Sequence, residues 1–369
     1  MNFAFTEEQR LIRETARSLL AEQAGSARLR AAIGSAEGWD RTLWRAIGSE
    51  MGWPGIAIPD HYGGLGLGWV ELAILMEETG RVLLPAPFFA SIGLAAPAIL
   101  AGGSDAQKAG LLPGIASGET IATLCLTGET GAPAPGGIGA TLVGGVLDGV
   151  ASFVLHGHAA DLLVVALGDG SFAALPATAP GITIERLVSL DLTRPMSRIR
   201  FDRVAVGPDQ ILDEGNGAAL ERALALSAIL LAAEQTGAAE RCLDMTVEYA
   251  KERVQFGRVI GSFQAVKHRL ADLMVLVESA KSAVYYAACT ADEGSDELQE
   301  AASVARAYAS DTFTACAGEA IQLHGGIGFT WEYDAQLYFK RARAAATLLG
   351  DPAYHRERIA RMLGLDQET

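Results

Sequence analysis

Two changes of patterning constrain this chain most: from helix-type to strand-type near Thr120, and back again after Asn216. Between them lie short β-type runs broken by Gly, Asp and Pro: Ile121 to Leu126, Ala140 to Leu147, Ala151 to Leu155, Leu162 to Leu167, Ile182 to Leu187 and Met196 to Phe201. Strands at that spacing make a compact all-β module of about 85 residues, a sandwich or a barrel. Upstream, Thr6 followed by Glu7 and Glu8 reads as an N-cap with first-turn acids, ahead of apolar residues at Leu11, Ile12, Ala16, Leu19 and Leu20. Asp40 to Met51 and Glu71 to Gly80 fit further helices, and Pro59 to Gly66 fits an ordered loop. Downstream, Val266, Leu270, Leu273, Val277, Ala280 and Val284 step alternately by four and three, the seam of a bundle helix. Another long helix is expected from about Asp296 to His324. The fold class that follows is α+β multidomain: a helical domain over 1–119, a middle β-barrel or sandwich domain over 120–214, and a C-terminal four-helix bundle over 215–369.

Bulk properties narrow the function. The longest membrane candidate, Ala223 to Ala233, sits between Arg222 and Glu234 and is about half the length that crosses a bilayer. The segment from Met1 to Gln9 lacks the basic region and apolar stretch of a signal peptide. A soluble, cytoplasmic protein without a membrane partner is expected. Cys125, Cys242, Cys289 and Cys316 are widely separated and fit small buried hydrophobes better than a metal site or a disulfide framework. The net charge of −15 opposes nucleic-acid binding, which needs a basic face. Any anionic ligand must therefore be held by local Arg groups and helix N-termini.

One segment offers such a grip. Tyr249 to Glu252 ends a helix at Arg253, and Val254, Gln255, Phe256 and Gly257 form a polar corner before Phe263 and Gln264 restart a helix. Arg253 is a forked, permanently charged donor suited to an anionic oxygen, Phe256 offers a flat apolar face, and Gly257 lets the chain turn. By itself the corner also reads as a helix hairpin with a solvated Arg. A second glycine-punctuated break follows at Gln322, His324, Gly325, Gly326, Gly328 and Phe329. Trp331 to Tyr333 beyond it supplies aromatic area suited to subunit packing. His156 and His158 would share one strand face, but two His without a third ligand fit strand-end polar groups better than a metal site, and no metal is expected.

Together with the domain order, these two motifs make the chain resemble the acyl-CoA dehydrogenase family along nearly its whole length. Weaker echoes are Cys125, Leu126 and Thr127 entering the β region and Phe201 to Val206 leaving it. The resemblance implies a flavoprotein whose FAD lies between the β domain and the bundle, with a neighbouring subunit completing the site. Carried over by position, Arg253, Gln255, Phe256, Gln264, Gln322, Gly325 and Gly326 would hold the pyrophosphate and adenine side. Phe153 would wall the isoalloxazine, with Leu126 and Thr127 beside it. Leu155 stands where the family has a hydroxyl residue, so only its backbone N–H would serve the flavin.

The reaction implied is removal of a proton from Cα and a hydride from Cβ of an acyl-CoA thioester, giving a 2,3-enoyl-CoA. It needs a carboxylate beside the substrate, in a dry site that raises its proton affinity. Most family members carry that Glu just before the glycine of a short loop; here the position is Leu349, before Gly350. A branch that includes isovaleryl-type enzymes places it on the first bundle helix, which puts the carboxylate at Glu221, with Arg222 as a structural cation. Glu221 also reads as an acid favoured by the helix dipole, and Asp351 ahead of Pro352 reads as an N-cap. The implied partners are the acyl-CoA substrate, an electron-transfer flavoprotein, and further copies in a homodimer or homotetramer. With Leu349 in the loop, the alternative is a non-catalytic subunit paired with a second, base-bearing chain. A weaker alternative is another flavin reaction, such as nitroalkane oxidation or monooxygenation.

Overall fold

The computed structural model describes residues 5–365; the first four residues of the segment read for a leader lie outside the described residues. The chain forms two compact units. One takes the chain up to Leu29, Ala73–Leu84 and everything from Ala228; the other takes Arg30–Leu72 and Pro85–Ser227. Helices α1 (Glu7–Gln23), α2 (Ser26–Gly34), α3 (Arg41–Arg45), α4 (Trp69–Arg81), α5 (Ala96–Gly102) and α6 (Asp105–Ala116) precede the strands. Strands β1 (Ala122–Cys125), β2 (Ala140–Val143), β3 (Val146–Leu155), β4 (Leu162–Ala166), β5 (Phe172–Pro176), β6 (Ile182–Arg186) and β7 (Met196–Ala205) follow. The C-terminal part holds α7 (Gly217–Glu252), the short strands β8 (Val254–Gln255) and β9 (Arg258–Val259), then α8 (Gln264–Glu293), α9 (Leu298–His324), α10 (Ala335–Ala345) and α11 (Pro352–Met362).

In the second unit the strands make two sheets, β1-β4-β5 and β2-β3-β7-β6, and only the β1–β4 pair is parallel. Leu163, Val165 and Leu175 from one sheet bury against Leu147, Val154, Ile199 and Phe201 from the other. The module is thus an open two-layer sandwich, not a closed barrel. Two strand readings change. The run from Ala140 to Leu147 divides at Gly144 and Gly145, both at positive φ, into a hairpin of β2 and β3. Strand β5 hides in the sequence because Ala173, Ala174 and Pro176 lack the β-branched signature; its pairing with β4 comes from tertiary burial.

In the first unit α9 packs against α8, α10 and α11. Leu273, Val277, Ala280 and Val284 of the expected seam are buried, but Val266 and Leu270 are only half-buried and Met274 and Val275 are exposed. Helices α4 and α7 meet backbone to backbone through a reciprocal glycine pair. A Cβ on Gly80 would collide with the Glu234 carbonyl, and one on Gly237 with the Glu77 carbonyl. Around this contact charges are paired: Arg13 to Glu77 at 2.8 Å, Arg17 to Glu78 at 2.7 Å, and Arg81 to Asp244 at 2.7 Å. Arg341 and Glu234, both buried, pair at 2.7 Å. Glu77 is buried, and desolvation raises its pKa more than Arg13 lowers it.

Candidate functional site

The sequence-expected site residues fall into two groups, one in each unit. In the first unit the chain leaves α7 at Arg253, and the polar, glycine-punctuated turn is a tight hairpin of β8 and β9. Phe256 and Gly257 sit at its tip with φ of +53° and +76°. Gln255 folds back, its Nε2 donating to Val254 O at 2.9 Å. Arg253 and Phe256 are exposed, the latter at 92%. Gln264 opens α8 and is also exposed.

The second motif ends α9. Gln322 is exposed, and Gly325 closes the helix at φ +62°, leading into a 3-10 turn over Gly325–Phe329. Space is open where a Cβ on Gly325 or Gly326 would stand, so the backbone there is accessible. The two motifs are joined by an aromatic stack that the sequence reading missed. Tyr249, one turn before Arg253, lies on His324 with ring centroids 4.3 Å apart, and Tyr333 packs against both, 4.6 Å from His324 and edge-on to Tyr249 at 6.3 Å. His324 Nδ1–H donates to Ala320 O at 2.6 Å, leaving Nε2 to accept from the Tyr333 hydroxyl at 3.1 Å. Burial lowers the His324 pKa, which keeps the ring neutral in that tautomer. Tyr333 therefore serves this stack rather than a subunit contact alone, while Trp331 and Phe329 are exposed.

In the second unit Thr127 bridges to Ser152: Ser152 N–H donates to Thr127 O at 2.7 Å and Thr127 Oγ1 donates to Ser152 O at 2.9 Å. This brings Leu126 and Thr127 beside Phe153. Phe153 has φ +59° and is 43% exposed, a strained backbone that turns an aromatic ring outward from a strand. Leu155 is buried, its carbonyl accepting from Thr123 Oγ1 at 2.7 Å. The His pair is not on a strand face. β3 ends at Leu155, His156 is buried at φ +50°, and His158 lies in the following 3-10 turn with Nε2 2.8 Å from Glu37 O.

Glu221 lies on the second turn of α7, whose N-terminus is capped by the Asn216 side chain. It is half-buried, Arg222 is exposed, and Ala225 and Ala228 further along the helix are buried. Asp351 caps α11, its Oδ1 accepting from Tyr354 N at 2.7 Å. Leu349, half-buried in the first unit, adopts φ +56°. Two groups behind it went unread in the sequence. Arg306 is wholly buried and reaches the loop carbonyls, and His355 contacts Leu349 O at 3.0 Å. The available signal for Arg306 was a lone cation inside an alanine-rich helix.

Residues 6–119 match the family model described as acyl-CoA dehydrogenase, N-terminal domain, and residues 213–364 match that of the C-terminal domain. The chain belongs to the acyl-CoA dehydrogenase family. It is 37% identical over 362 residues to acyl-CoA dehydrogenase IpdE2 of Mycolicibacterium smegmatis, covering 97% of this chain and 98% of that protein. Among solved structures, the Tcur3481–Tcur3483 steroid ACAD shares 32% identity with a TM-score of 0.87, covering 97% of this chain and 98% of the other. The ChsE4–ChsE5 complex from Mycobacterium tuberculosis shares 27% identity with a TM-score of 0.90 over the full length of both chains. The acyl-CoA dehydrogenase family is one of oxidoreductases, so membership makes this an oxidoreductase chain. Among the described residues no helix is long and apolar enough to cross a membrane.

Proposed function

We propose that the chain is an FAD-dependent acyl-CoA dehydrogenase that introduces a double bond between Cα and Cβ of an acyl-CoA thioester, with Glu221 as its base. The residues present fit the cofactor. Arg253 has an uncommitted guanidinium, and the open backbone at Gly325 and Gly326 suits close approach of a diphosphate. Gln255, Gln264 and Gln322 add exposed amides around them, and Phe256 an apolar face. The outward ring of Phe153, with Leu126 and Thr127 beside it, suits the face of a flavin. Bound FAD supplies the acceptor for the β-hydrogen and its electron pair.

The observation that supports the reading is an acid at Glu221, on the second turn of α7, in a chain whose loop residue Leu349 cannot take a proton. The Glu221 carboxylate takes the α-proton; its helix neighbours Ala225 and Ala228 are small, apolar and buried. Electrons leave to an electron-transfer flavoprotein. The exposed apolar side chains of Val254, Phe256, Met274, Val275 and Phe329 suit burial by a second copy, so a homodimer or homotetramer is expected. A loop with Leu349 in place of a carboxylate alters the shape of the acyl pocket, which permits branched or bulky thioesters, steroid-derived ones included.

Anaerobic titration of the yellow protein with straight, branched and steroid-derived acyl-CoA thioesters tests this: absorbance near 450 nm bleaches with at least one thioester. Glu221→Gln should bleach at least about 100-fold more slowly, the scale of a lost general base. Bleaching at the parent rate removes Glu221 from the mechanism. Leu349 and the likeness to a two-chain complex favour one second reading, a non-catalytic subunit of a hetero-oligomer. A colourless protein that turns over only when mixed with a base-bearing partner chain supports that reading instead.

A further inference from the structure

The first unit holds a cleft of about 370 Å³ that is lined by none of the residues assigned above to cofactor, base or substrate. It opens where the second half of α1 and the start of α2 face the end of α4, the second half of α7 and the start of α10. Its inner wall is apolar. Leu20, Ala24 and Leu29 are buried, and the Tyr338 ring is fixed by its hydroxyl, which donates to Arg81 O. Most charges along the cleft are committed to one another. Arg17 donates to Glu78 from Nε at 3.0 Å and from Nη2 at 2.7 Å, Arg81 Nη2 donates to Asp244 at 2.7 Å, and Asp334 accepts from Ser26 Oγ at 2.8 Å. Arg241 differs. Among the described residues its guanidinium donates no hydrogen bond, and its ion pair, with the exposed Glu248, is 3.6 Å long. A surface pair of that length contributes little, so a ligand can take the fork from it. Arg241 stands about 18 Å along α7 from Arg253 at its end, which separates the cleft from the hairpin proposed to grip the cofactor.

We propose that this cleft binds a small organic acid, one carboxylate on a hydrocarbon body, with Arg241 forked onto the carboxylate and Leu20, Ala24, Leu29 and Tyr338 covering the body. A planar guanidinium meets a carboxylate two donors to two acceptors. Inorganic phosphate also suits a guanidinium, yet it leaves the apolar wall in water, whereas a hydrocarbon body covers it. The volume lies at the small end of the range of about 300–1,000 Å³ that ligand pockets span, which fits a small acid rather than a nucleotide. The site does not rest on the dehydrogenase reading, because none of its residues has a part in that reaction.

Calorimetric titration of the full-length protein with hexanoate, acetate, hexan-1-ol and inorganic phosphate tests the site. Hexanoate binds with a Kd on the order of 1 mM or tighter. Acetate lacks the hydrocarbon body, hexan-1-ol lacks the charge and phosphate lacks both the body and the planar fork, so each binds at least about tenfold more weakly. Arg241→Gln removes the charge, and Ala21→Phe fills the cleft from an exposed position on its rim. Each variant weakens hexanoate at least about tenfold and melts within about 2 °C of the parent. Should Arg241→Gln melt lower, Ala21→Phe decides alone. A parent that takes up no hexanoate at about 20 mM overturns the proposal. Parent-like affinity in both variants places hexanoate elsewhere on the chain and overturns it too. Acetate or phosphate binding as tightly as hexanoate reduces the cleft to a simple anion patch, which also refutes the assignment.

Discussion

Acidification below neutrality should destabilise this protein through His355. Burial first, and then the neighbouring Arg306 guanidinium, pull the His355 pKa down to about 4 from 6.5; Arg358 adds to this, while the Leu349 carbonyl and Asp351 oppose it. A base whose folded-state pKa is depressed refuses a proton that the unfolded chain accepts. Its contribution is therefore fully present above about pH 6.5 and is lost as the pH falls towards 4. At about 1.4 kcal/mol per pH unit, the gap between 6.5 and about 4 is worth about 3 kcal/mol when complete and about 2 kcal/mol at pH 5. His355→Gln keeps an N–H for Leu349 O and cannot titrate. Urea denaturation at pH 7 and pH 5, followed by far-UV circular dichroism, should show the parent losing about 2 kcal/mol more than the variant between the two. The difference isolates His355 from His158 and His324, whose pKa values burial also lowers. Equal losses within about 0.5 kcal/mol would refute the claim that the fold holds this ring neutral.

Other outcomes follow from the same geometry. Gly237→Ala forces apart the backbones of α4 and α7 and should cost about 3 kcal/mol or more, seen as a lower urea midpoint. Gly318→Ala, with open space on α9 and an ordinary helical backbone, should raise stability by about 0.5–1 kcal/mol. If both substitutions destabilise alike, close packing is not what sets the difference. Arg253→Ala should leave the melting temperature unchanged, because the side chain is exposed and unpaired, yet weaken FAD retention roughly tenfold or more, read as the 450 nm absorbance left after gel filtration. Full retention of colour would remove Arg253 from the cofactor site.

Elements whose chemistry is local were legible in the sequence. The Thr6 cap, the helix after Asn216, the seam from Leu273 to Val284 and most strands of the sandwich follow from capping chemistry and hydrophobic periodicity, which neighbours within a few residues decide. The glycine break after Gln322 was equally plain. So was the absence of an acid at Leu349, since side-chain identity needs no fold.

Tertiary structure decided what depends on partners far apart along the chain. Strand β5 exists because β4 pairs with it, and the reciprocal glycines of α4 and α7 gain their meaning only where two backbones touch. Tyr249, His324 and Tyr333 join two motifs across the bundle through ring contacts that no spacing rule encodes. Arg306 reads along the chain as an ordinary helical cation. Only folding sets it beneath the carbonyls of residues 345–350, because a buried guanidinium must find acceptors and the turn after α10 presents several.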